Sequence, residues 1–132
     1  MAAHEMFAAD AASRALGIEL VAAEAGTATL RMRVTAAMVN GHDIAHGGYV
    51  FLLADSAFAC ACNSHGPVTV AAAADITFVA PGKLGDELVA VATERTRFGR
   101  SGIYDVTVFR ADGDERVVIA EFRGTSRTLD RR

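Results

Sequence analysis

Asp55 is the first residue whose type and setting could do chemistry. It is the one charged residue between Asp43 and Asp75. If residues 49–62 wind as a helix, its neighbours on the helical surface are Phe51, Leu52, Phe58, Ala59 and Cys62. A charged residue on a surface helix normally joins a polar stripe, and this segment has none. Burying a carboxylate without a partner costs roughly several kcal/mol even after the protein relaxes. Two readings stand side by side. Asp55 is a structural acid that caps a loop or pairs with an arginine, or it is a catalytic base or nucleophile.

The approach to that helix is His46-Gly47-Gly48. Glycines at a helix start let a ligand come close to the backbone, and they leave N–H groups unpaired at the positive end of the helix dipole. That suits an oxyanion, although a tight loop requiring positive φ would use the same residues. Asn40 and His46 belong to this loop, and either could hold a substrate carbonyl or order the loop. His42 and His46 are four apart, a metal-ligand spacing only on a helix. Gly41 argues against a helix there, and no third ligand has suitable spacing, so no metal site is expected. A Gly-x-Ser-x-Gly elbow, a phosphate loop and a dinucleotide fingerprint are all lacking.

The elements that must position these groups follow from periodicity. Residues 4–16 predict a short helix stopped by Gly17. Residues 18–34 turn strand-like, with Leu30, Met32 and Val34 alternating with polar neighbours. Residues 36–46 read as a loop, and an apolar helix follows from Tyr49 to about Cys62, ended by Asn63, Ser64, Gly66 and Pro67. Four strands then fit 68–79, 86–97, 103–110 and 115–128. Asp112-Gly113 marks the last hairpin. The expectation is one α+β domain over residues 1–132, an antiparallel sheet around one long central helix.

Composition narrows the function. The 132 residues are 52% hydrophobic and 22% charged, more apolar than a lone small domain needs, which predicts an oligomer interface. A net charge of −3 and no basic stripe exclude a nucleic-acid partner. No apolar stretch is long enough for a bilayer, and His4, Glu5, Asp10 and Arg14 interrupt the first fifteen residues, so neither a membrane span nor a signal peptide is expected. A cytoplasmic protein is expected. Cys60 and Cys62, two positions apart on a helix, point in different directions and can neither bridge nor share a metal.

The residues from Asn40-Gly41-His42-Asp43-Ile44-Ala45-His46-Gly47-Gly48 through Phe51-Leu52-Leu53-Ala54-Asp55-Ser56 closely resemble the hot-dog-fold thioesterases, nearest the PaaI family of phenylacetic acid degradation. Ala61-Cys62-Asn63-Ser64, Phe78-Val79-Ala80-Pro81-Gly82, Gly102-Ile103-Tyr104-Asp105 and Phe122-Arg123-Gly124 extend the likeness over about residues 5–128. The resemblance implies a helix wrapped by a curved antiparallel sheet, dimers paired into a homotetramer, and active sites shared across a dimer interface. Asn40, His46 and Gly47 would come from one subunit and Asp55 from the other. Gly47 N–H would hold the thioester oxygen, and Asp55 would activate water or attack directly. The substrates implied are phenylacetyl-CoA and its ring-hydroxylated relatives, with CoA part of the substrate and no separate cofactor.

One departure from the family stands out. Relatives often carry a Ser or Thr in the strand after the helix, near the attacking water, whereas residues 71–74 here are all Ala. Water positioning would then fall to Ser56, Asn40 or backbone. CoA phosphates require cations. Lys83, Arg97, Arg100, Arg123 and Arg127 are candidates, Arg100 foremost for its place in a glycine-flanked turn. Tyr49, Phe51 and Phe58 could line an acyl pocket or belong to the core. A hydroxyacyl-CoA dehydratase using His46, and a non-catalytic acyl-CoA-binding protein, are the alternatives on the same fold.

Overall fold

The computed structural model describes residues 2–129. Six strands, β1 (Glu19–Glu24), β2 (Thr27–Arg33), β3 (Thr69–Phe78), β4 (Glu87–Phe98), β5 (Ser101–Asp112) and β6 (Glu115–Thr128), form one sheet in the order β1-β2-β4-β5-β6-β3. Every neighbouring pair runs antiparallel. The long helix α3 (Gly47–Asn63) packs across one face of the sheet. This is the α+β hot-dog arrangement that the resemblance implies. Among the described residues, no helix is long and apolar enough to cross a membrane.

Alternation along the strands decides which side chains meet α3. On β5, Tyr104, Val106 and Val108 are buried under the helix, and Asp105 and Thr107 turn to the outer face. Ala90 and Ala92 on β4, with Gly124 on β6, keep the sheet low so that α3 approaches closely. A Cβ on Gly124 would lie 2.8 Å from the Phe58 ring. Phe58, at 1% exposure, also stacks at a tilt on Tyr104 and Phe122. It belongs to the core rather than to a pocket wall, and burying a ring of that size stabilises the fold by about 1.5–3 kcal/mol.

One expectation is corrected at the N-terminal end. The segment 4–16 is not one helix but two, α1 (Ala2–Ala8) and α2 (Ala11–Ala15). The break follows from Asp10, which leaves helical geometry to cap α2: its carboxylate accepts a hydrogen bond from Ser13 N–H at 3.0 Å. The strand-like stretch 18–34 is two strands, folded into a hairpin at Gly26, where φ is +80°. Gly26 N–H donates to Ser64 Oγ at 2.8 Å, tying that hairpin to the end of α3. The central helix also begins two residues earlier than its apolar pattern, so both glycines lie in its first turn.

The end of α3 is fixed just as firmly. Asn63 Nδ2 donates to the carbonyls of Ala59 and Thr69, and Asn63 Oδ1 accepts from Thr69 N–H. The Asn63 amide therefore seats the start of β3 against the end of the helix. Beyond it, His65 Nε2 meets Glu94 Oε1 at 2.7 Å, and Tyr104 Oη donates to the same oxygen.

Candidate active site

The loop before α3 is built by Asn40. Its Oδ1 accepts from His42 N–H at 2.8 Å and Ile44 N–H at 3.3 Å, curling the chain into a short turn in which Asp43 takes φ +60°. Asn40 Nδ2 makes no hydrogen bond among the described residues and remains a free donor. The loop is anchored by backbone bonds from Ala45 to Gly82 and from His46 to Met38, both 2.7 Å. It thus presents the helix start on a fixed support.

His46 is the N-cap of α3. Its Nδ1 accepts from Gly48 N–H at 3.5 Å, a long contact. Gly47 N–H, at the first helical position, has no partner among the described residues. It stands at the positive end of a 17-residue helix, where an anion is stabilised by the dipole. The ring of Phe78 closes one side, since a Cβ on Gly47 would lie 2.9 Å from it. Gly47, Val50 and Phe78 line a groove of about 470 Å³ with Ile44, Pro81 and Gly82. Phe78 was not foreseen as a site residue, because a lone phenylalanine at a strand end carries no signal of what it faces.

Asp55 lies on α3, half-buried, and makes no hydrogen bond or ion pair among the described residues. Burial pushes its carboxyl above the usual aspartate range, and the negative charge of Asp10 adds to the rise. The structural reading, an acid satisfied by an arginine or a cap, has no support in this arrangement. Tyr49, Phe51 and Leu52, all half-buried, occupy the helix between Gly47 and Asp55, and Phe51 meets Phe122 edge-on at 5.4 Å.

Eight residues of α-helix span about 12 Å along the axis. A carbonyl held within hydrogen-bond reach of Gly47 N–H is thus out of reach of Asp55 in the same chain. The two groups the sequence singles out sit on one helix but cannot serve one substrate within one copy.

Other candidates are placed less centrally. Ser56 is buried, and its hydroxyl is hydrogen-bonded to Ser13. Lys83 is exposed in the loop after β3, bridged to Ile44 beside the Gly47 groove. Arg100 lies in the β4–β5 turn, near Cys62, His65 and Tyr104, and Arg97 is 3.4 Å from Glu94. Arg123 grips Asp105 through two hydrogen bonds of 2.6 and 2.9 Å on the outer sheet face. That pairing holds the Asp105 carboxyl below its usual range, and a phosphate at Arg123 would have to displace it. Cys60 and Cys62 are free and buried, both thiols pushed up to about 12 by burial.

Comparison with known proteins identifies the family. Residues 42–117 match the Thioesterase superfamily. The chain is 43% identical over 127 residues, 96% of its length and 89% of the relative's, to the acyl-coenzyme A thioesterase PaaI of Escherichia coli K12. The solved structure of the E. coli PaaI protein, from the phenylacetic acid degradation operon, superposes with a TM-score of 0.92, covering 98% of this chain and 91% of that one. A mutant of the phenylacetic acid degradation protein PaaI from Thermus thermophilus, 34% identical, superposes with a TM-score of 0.84 over 91% of this chain and all of the other. The chain belongs to the thioesterase superfamily and, within it, to the PaaI-type hot-dog thioesterases.

Proposed function

We propose that the protein is an acyl-CoA thioesterase that hydrolyses aryl-acyl-CoA, of the phenylacetyl or ring-hydroxylated phenylacetyl type, to the free acid and CoA. The observation that carries this is an unpaired Gly47 N–H at the positive end of α3 together with a half-buried, unpartnered Asp55 on the same helix. The substrate carbonyl oxygen accepts from Gly47 N–H of one copy, with Asn40 Nδ2 at the rim. Asp55 of a second copy takes a proton from water as the water oxygen attacks the carbonyl carbon. The C–S bond then breaks, and CoA leaves as a thiolate, which needs no strong general acid because a thiol is far more acidic than an alcohol. A preset N–H of this kind contributes about 10²–10³ in rate, and a positioned base about 10²–10⁴. His46 caps the helix through Nδ1, which leaves the acid rather than the imidazole as base and disfavours dehydratase chemistry.

A homodimer completes this site. Among the described residues β3 has β6 on one side and no strand on the other, and Ala71–Ala74 stand exposed along it. An uncovered ten-residue edge is a template for strand pairing. Phe78 at one end of β3 touches Gly47, and Thr69 at the other end is held by Asn63. Antiparallel pairing of two β3 strands therefore lays the start of one α3 toward the end of the other. Two dimers then meet through the outer sheet faces, where Arg95, Asp105 and Arg123 alternate in charge, giving a tetramer. The aryl group lies against Tyr49, Phe51 and Leu52, and Lys83 meets the CoA phosphates. Acyl-CoA substrate and two buried, unoxidised cysteines suit the cytoplasm.

Thiol release from a panel of aryl, short and long acyl-CoAs tests the reading. Phenylacetyl-type esters are expected to turn over fastest, and Asp55→Ala and Asp55→Asn to lose most of that turnover while keeping the oligomer. Wild-type rates in both variants would remove Asp55 from the reaction, and no release from any ester would leave only a binding protein.

A further inference from the structure

The N-terminal arm carries a second carboxylate, Asp10, whose partners lead to the catalytic turn. Ser13 Oγ lies 2.6 Å from Asp10 Oδ2 and 2.7 Å from Ser56 Oγ. A carboxylate only accepts, so Ser13 donates to Asp10, and its single proton is then spent. Ser56 must therefore donate to Ser13. The order Ser56 to Ser13 to Asp10 is fixed, and both hydroxyls are buried, at 7% and 1% exposure. Ser56 is the residue next to Asp55. Its proton is committed to the arm and is not available to hold the attacking water.

We propose that Asp10 is a positioning residue for the hydrolytic site, seated by the Ser13–Ser56 chain beside the Asp55 turn of α3 so that its negative charge acts on the Asp55 carboxylate. This rests on the reading of Asp55 as the base. Burial and, beside it, the negative charge of Asp10 favour the protonated form of Asp55. A base held more basic than a free aspartate takes a proton from water more readily. Cys62 lies on the same helix, but its thiol, pushed up to about 12 chiefly by burial, stays neutral near pH 7. Asp75, Asp105 and Arg123 lie on the outer sheet face, away from α3, and His4 and Glu5 of α1 are exposed. In the proposed paired site, His46 and Asn40 of the second copy face Asp55 as well.

The test keeps the helix cap and removes only the charge. Asn and Ser both cap helices as well as Asp does. Asp10→Asn and Asp10→Ser are therefore expected to fold and dimerise with little loss of Tm. Carboxyl ¹³C NMR of the aspartate-labelled dimer gives the Asp55 titration, with the resonance assigned by its loss in Asp55→Asn. Asp10→Asn is expected to move that midpoint to lower pH and to move the acid limb of kcat/KM with it. Asp10→Ser is expected to do the same, and Asp10→Glu to restore the wild-type limb. A midpoint that does not move in either uncharged variant overturns the proposal, as does a midpoint that moves while the acid limb stays. Turnover by Asp55→Asn would sink the hydrolytic reading itself, and the NMR titration still reports separately whether Asp10 acts on Asp55.

Discussion

Gly47 illustrates how a single backbone group can be isolated by experiment. It occupies the first helical position, where proline is tolerated because the N–H is unpaired in any case. His46 already has the extended conformation that a following proline demands, with φ −60° and ψ 134°. Gly47→Pro therefore deletes the N–H while leaving the helix in place. Gly47→Ala is its control, since both add a Cβ against the Phe78 ring and only alanine keeps the donor. Proline is expected to lower kcat by about 10²–10³ relative to alanine, and stopped-flow thiol release under saturating substrate checks this. Asp55 gives a prediction of the opposite sign for stability. Its folded-state carboxyl is raised, so the native protein holds that proton more tightly than the unfolded chain does. Stability falls as pH rises from the unfolded toward the folded value, and the cost of the ionised acid persists above it. Asp55→Asn is expected to raise Tm at neutral pH and to change it little in acid, as thermal unfolding at both pH values would show. A carboxylate base held at a cost in stability fits the functional role proposed for Asp55.

At the level of elements, the joint between α3 and the sheet sets the frame on which both groups ride. Gly124 on β6 lies directly beneath Phe58, and the ring has no exposed direction in which to retreat. Gly124→Ala is expected to destabilise the fold by about 1–3 kcal/mol by overpacking, measured by urea unfolding. Much of this frame was legible in the sequence. Alternation on β3 and β5, and the Asp112-Gly113 turn, placed the four strands of the second half within a residue or two because half-buried strands write their period directly. The N-terminal half was less legible. Apolar residues run through both the α1–α2 break and the β1–β2 turn, so periodicity alone merged neighbouring elements. The deciding signals were small: Asp10 three residues before Ser13, a capping spacing, and Gly26 at a position requiring positive φ.

For the whole molecule, the resemblance read from the sequence already implied that Gly47 and Asp55 serve one site from different subunits, and helix geometry supplies a physical reason. Spacing on one helix, about 12 Å for eight residues, turns two promising residues into half of each of two sites. What the fold adds is a surface for such pairing, the exposed β3 edge with Phe78 reaching from it to Gly47. The measurement that tests this most directly mixes two inactive chains. Gly47→Pro chains and Asp55→Asn chains, tagged differently, are refolded together, and mixed dimers are confirmed by tandem purification. Each mixed dimer of the proposed kind holds one site with intact Gly47 from one chain and intact Asp55 from the other. Random pairing makes about half of all dimers mixed, so roughly a quarter of wild-type sites should return. Recovery of phenylacetyl-CoA hydrolysis near that level is the predicted result. Verified mixed dimers as inactive as either parent would contradict a site shared between two copies.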